Sequence, residues 1–121
     1  MTDMKYSRLF AGPDGESHFE DVAVAFGDDP PTPFPVSEWE SAERIRFLQY
    51  PTDLPRNVHR APARYLHIVL SGSWAMQTSD GVTRDFNARD IILVEDTTGK
   101  GHTTWVTSEE PALLARVQLL G

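Results

Sequence analysis

The groups in this chain that could do chemistry near neutral pH are its four histidines, His18, His59, His67 and His102, because the chain has no cysteine. A neutral imidazole serves general acid–base catalysis, so His102 is useful with or without a metal. Tyr65 and His67 lie two residues apart, which on a strand puts both on one face. Tyr65 could there donate a hydrogen bond to a substrate oxygen or a developing oxyanion. Glu95 and Asp96 open the run "EDTTGKGH" that ends at His102. One of these acids could orient a histidine, or Asp96 could cap the turn by accepting from backbone amides. Lys100 between two glycines has the look of a phosphate loop. The pattern G-x4-G-K-[ST] is not met, however, and no helix follows, so that reading is rejected.

The elements that must carry these groups read with period two. In "SHFEDVAVAF" His18, Glu20, Val22, Val24 and Phe26 share a face, with His18 expected as an exposed strand histidine. "ERIRFLQY" alternates Ile45 and Phe47 against Arg44, Arg46 and Leu48. "ARYLHIVLSGSWAMQT" is a long strand broken or bent at Gly72. Asp80-Gly81 is the strongest hairpin signal, with "VTRDF" pairing back. "DIILV", "HTTWVT" and "ALLARVQLL" supply the remaining strands. Pro30, Pro31, Pro33 and Pro35 make a stiff loop, and Ser37 with Glu40 has capping-box spacing that predicts one or two helical turns. Short strands with glycine- and proline-rich turns predict an all-β sandwich or barrel.

Bulk properties narrow the function. The 121 residues suit one domain, and the net charge of −7 with no basic block speaks against a nucleic-acid or anionic-membrane partner. The absence of cysteine fits a reducing cytosol, and no apolar run reaches the roughly 20 residues of a membrane span. The expected setting is cytoplasmic.

The segment from His59 to His102 resembles a cupin, the small double-stranded β-helix or jelly-roll barrel. In the family motif G-x5-H-x-H-x3,4-E-x6-G, ending at Gly72 puts the first histidine on His59, the second on Ala61 and the glutamate on Tyr65. The second motif, P-x-G-x2-H, maps onto "TTGKGH" with Gly99 and His102 matching and Thr97 at the proline position. Val106 stands at the following asparagine position, and of the usual proline-glycine-aspartate turn only Asp90 remains. The start "GESHFED" and the loop "EDTTGKGH" are similar to a group of small bacterial single-domain cupins.

The resemblance implies a single cupin domain over residues 1–121, with a core from about 44 to 119 and strands 5–26 and the loop 27–36 packed on it. It implies a homodimer and a small organic ligand in the barrel. Only His59 and His102 match the family's metal ligands, and His67, on the face of Tyr65, is the candidate third ligand for one divalent ion (Fe, Mn, Zn or Ni). A metal-free site with His102 and Tyr65 as catalytic groups is an equal alternative. Trp74, Met76 and Trp105 are expected to line the pocket. Arg64, opposite in parity to Tyr65, is expected at the surface or a dimer contact, with carboxylate recognition as the second reading. The implied activities are those of an isomerase, lyase, cyclase or oxygenase. The opposing expectation is a non-catalytic ligand-binding module with an eroded metal site.

Overall fold

A computed structural model describes residues 3–121. Nine strands form in chain order: β1 (Met4–Ala11), β2 (Ser17–Val24), β3 (Ala42–Tyr50), β4 (Tyr65–Ser71), β5 (Ser73–Thr78), β6 (Thr83–Asn87), β7 (Ile91–Val94), β8 (His102–Val106) and β9 (Ala112–Leu119). A six-stranded sheet has the order β2-β1-β7-β4-β9-β3, and a three-stranded sheet the order β6-β5-β8. The two stack around one apolar cluster that includes Leu9, Val69, Ile92 and Leu114 from the large sheet and Trp74, Met76 and Phe86 from the small one. The all-β expectation therefore holds as a two-sheet sandwich. Among the described residues the sheets do not join into a closed barrel.

β1 runs parallel to β7, in register Ser7↔Ile92 to Leu9↔Val94, so the N-terminal hairpin is an integral part of the large sheet. The expected break at Gly72 is a change of sheet. Gly72 adopts a φ of 72°, β4 stays in the large sheet, and β5 begins the small one. A Cβ at Gly72 would sit 2.9 Å from the Ala112 Cα, so only glycine lets the corner pass β9. The Asp80-Gly81 hairpin joins β5 to β6 as expected, with Gly81 at a φ of 90°.

The helical turns expected after Ser37 do not form; residues 37–41 carry no helix. Ser37 Oγ donates to the Glu38 carbonyl rather than accepting a third-residue amide, and Glu40 reaches across to Arg64. With its side chains so engaged, the capping box has nothing to nucleate.

Strand registers across the large sheet place the site. One row on its inner face runs Ser7, Ile92, His67, Arg116, Arg46, and the neighbouring row runs Leu9, Val94, Tyr65, Gln118, Arg44. Further along the same face the rows turn apolar, with Val69, Leu114 and Leu48 aligned. Packing is thus concentrated at one end of the sandwich, and polar groups at the other.

Candidate functional site

His102 is the first residue of β8 and reaches its place through the loop after β7. Gly99 and Gly101 both hold a φ of 79°, a left-handed conformation that side-chain-bearing residues rarely adopt. At Gly101 there is a second requirement, since a Cβ there would lie 2.4 Å from the His59 carbonyl oxygen. That contact is where the chain folds back on itself. The His59 amide donates to the His102 carbonyl at 3.0 Å, and the His102 amide donates to the His59 carbonyl at 2.8 Å. The two imidazoles consequently lie side by side with ring centres 4.6 Å apart.

Each of these rings has its Nδ1 engaged. His102 Nδ1 donates to Asp96 Oδ2 at 2.5 Å, and both residues are buried, at 4% and 0% exposure. His59 Nδ1 donates to the Asn57 carbonyl at 2.9 Å. A carbonyl can only accept, and a carboxylate holds the hydrogen on the facing nitrogen, so in the neutral form of each ring the lone pair lies on Nε2. Of the two roles open to Asp96, orienting a histidine is the one the structure gives. Glu95, beside it, binds Arg8 and Arg64 at 2.5 Å each and faces away from the site.

His67 is built differently. It is 3% exposed, and its Nε2 accepts from Arg116 Nε at 2.9 Å. Since arginine is always the donor, His67 carries its hydrogen on Nδ1, which is buried without a protein partner. Burial, then the Arg116 charge and His102, push its pKa down to about 3, so it is neutral across the working range. Its outward nitrogen is already committed to a cation, and His67 does not complete a ligand set. Among the described residues no group of three or more histidine, aspartate or glutamate side chains is placed to hold a metal ion. The nitrogens on offer to a metal are therefore the two Nε2 atoms of His59 and His102, short of the three protein ligands typical of catalytic sites.

These groups surround a cavity of about 40 Å³ lined by His59, His67, His102, Tyr65, Met76 and Arg116, with Tyr50 and Thr104 at its sides. That volume holds about three waters. Tyr65 is at the wall, and its ring supports Arg116, whose guanidinium carbon lies 4.1 Å from the ring centre. Met76 lines the cavity. Trp74 and Trp105 do not. Trp74 is fully buried in the core, edge-on to Tyr50 at 5.4 Å. Trp105 differs in parity from His102 on β8, so it points to the other face, where Arg56 covers its ring at 4.2 Å.

Arg64 is tied to Glu95, Glu40 and the Leu120 carbonyl, outside the cavity. His18, half-buried, is bonded to both Asp14 and Asp80. Lys100 pairs with Glu16. Sequence reasoning passed over Arg116 and Tyr50. The signal was present: Arg116 shares the parity of Ala112 and Leu114 in "ALLARVQLL", an arginine on the buried face of an otherwise apolar strand. Burial raises the Tyr50 pKa, and the Arg116 guanidinium beside it offsets part of that rise.

Searched against known proteins, the chain matches no protein-family model, and no curated protein sequence matches it.

Proposed function

We propose that this protein is a small cupin-type sandwich that binds a small organic molecule at the His59–His102 cavity and acts on it by proton transfer. The observation that carries the reading is the buried Asp96–His102 pair at 2.5 Å, which leaves His102 Nε2 free at the cavity wall. In this role His102 Nε2 takes a proton from substrate, and Asp96 stabilises the imidazolium that forms. Arg116 and Tyr65 supply positive charge and a hydrogen-bond donor to oxygen on the substrate. Isomerisation, elimination and cyclisation are all served by such a base. With no cysteine, the protein suits a reducing cytosol.

A proton-exchange experiment tests this. Protein in deuterated water is incubated with a panel of small 2-oxo acids and neutral ketones, and loss of the protons next to the carbonyl is followed by NMR. The expected result is exchange by the native protein that His102→Gln abolishes. Exchange retained in His102→Gln rejects His102 as the base, and no exchange with any compound favours the non-catalytic binding module.

A second reading is favoured by one observation: both Nδ1 atoms are held by oxygen acceptors, the arrangement that orients metal-ligating imidazoles. One divalent ion (Fe, Mn, Zn or Ni) on the two Nε2 atoms would act as a Lewis acid. Elemental analysis of untagged protein decides it: stoichiometric metal that His59→Ala removes supports the ion, and its absence from both proteins rejects it.

The dimer reading rests on the outer face of the large sheet, where Ile45, Phe47, Leu70 and Leu113 are 62%, 74%, 51% and 41% exposed. A second copy covering this face is the partner we propose. Light scattering should give twice the chain mass, falling to one with Phe47→Glu.

A further inference from the structure

Four cations on this molecule are answered by acids. Arg8 pairs with Glu20 and Glu95, Arg64 with Glu95 and Glu40, Arg84 with Asp21, and Lys100 with Glu16. Three arginines on adjacent strands, Arg44, Arg46 and Arg116, form no such pair among the described residues, yet they line one cavity of about 100 Å³ with Tyr65 and Gln118. No carboxylate lines it. Gln118, on its wall, donates its Nε2 to Glu43 at 2.9 Å.

Placement makes the cluster costly in the absence of an anion. Arg46 and Arg116 are direct cross-strand partners between β3 and β9, and like charges in that relation repel. The chain has acids to spare, with a net charge of −7, and none is spent here.

Two of the three guanidinium groups are also fixed before any ligand arrives. Arg116 donates its Nε to His67 and stacks on Tyr65 at 4.1 Å. Arg44 donates its Nε to Gln118 Oε1 at 2.9 Å. Anchoring through Nε leaves the paired Nη donors available, the geometry that receives carboxylate or phosphate oxygens. Satisfying the buried His67 would account for Arg116 alone; it leaves Arg44 and Arg46 without a reason. The cavity shares Tyr65 and Arg116 with the His59–His102 pocket, so the two lie side by side with a common wall.

We propose that this cavity between β3 and β9 is a binding subsite for a doubly charged oxyanion group, a dicarboxylate end or a phosphate, borne by the small molecule that His102 acts on. The subsite rests on the arginine geometry; only its link to His102 rests on the proton-transfer reading.

The test is a calorimetric or NMR titration of the full-length, untagged protein at low salt with succinate, with inorganic phosphate and with acetate. Saturable binding of succinate or phosphate, roughly tenfold or more tighter than acetate, is expected, with a loss of roughly tenfold in each of Arg44→Gln and Arg46→Gln. Both arginines are exposed, so these variants are expected to fold. Whichever dianion binds tighter assigns the group as dicarboxylate or phosphate. No saturable binding of either, or equal binding in the double variant, overturns the proposal. His102→Gln separates the two claims. Arginine-dependent binding that survives it, with no proton exchange on any compound, keeps the subsite and removes the catalytic reading. Exchange on neutral ketones without dianion binding does the reverse.

Discussion

His102 and His18 each hold aspartate, and the two pairs have opposite consequences. His102 and Asp96 are 4% and 0% exposed, and their contact at 2.5 Å is one-to-one. His18 meets two acids, Asp14 at 3.1 Å and Asp80 at 3.0 Å, with the ring 29% and Asp14 54% exposed. The half-buried ring clips the β1–β2 turn to the β5–β6 hairpin at the water's edge, where solvent screens much of the attraction. The buried ring is locked as one tautomer with one nitrogen facing a cavity. His67 is the third case, bonded to a cation instead of an acid. The partner and the wetness of the site, not the residue type, decide what each imidazole can do.

His67 should show the largest effect. Its folded pKa, about 3, is depressed below the ordinary value of 6.5. The stability it confers is therefore present above pH 6.5 and lost as pH falls from there toward 3. A gap of this size is on the order of 4 kcal/mol at the acid end. His67→Gln keeps an acceptor for Arg116 and does not titrate, so its unfolding free energy should fall far less across that window in denaturant melts. Parallel curves for the two proteins would remove His67 from the acid response.

Gly101→Ala is next, at about 3 kcal/mol, because it combines a positive φ with a Cβ driven into the His59 carbonyl. Thermal melts should show the loss, and NMR of the two rings should show their proximity broken. Asp96→Ala should cost about 2 kcal/mol by stranding the buried His102 N–H. Nitrogen-15 spectra should change from a single Nδ1–H tautomer to a mixture, and an unchanged ring spectrum would count against Asp96 as the orienting group.

The smallest effect belongs to His18. Asp14 first, then Asp80, raise its pKa above 6.5. Its contribution is thus present below the unfolded value and disappears as pH rises through the folded one. His18→Gln should lower the melting temperature slightly near pH 5.5 and leave it unchanged near pH 8.5.

Strand positions were largely legible because alternation is a local property, and Gly72 and Asp80-Gly81 mark backbone requirements that no distant residue alters. The pairing of His59 with His102 was legible only through the cupin resemblance, since 43 residues separate them. Ser37 and Glu40 misled because a capping box needs its side chains free, and Arg64 competes for Glu40 from another strand. Trp105 could have been excluded by counting parity from His102. The arginine cavity was not visible in "ERIRFLQY" and "ALLARVQLL" separately; the β3–β9 register, which sets Arg46 opposite Arg116, creates it.

The parallel pairing of β1 with β7 carries a consequence for biogenesis. Ser7 takes its place beside Ile92, so the β1–β2 hairpin emerges from the ribosome with one edge open until some 85 further residues have been made. Contacts that far apart in sequence slow folding and prolong the exposure of unpaired strand edges. Expression yield should consequently depend more on chaperone supply during synthesis than on the stability of the finished sandwich.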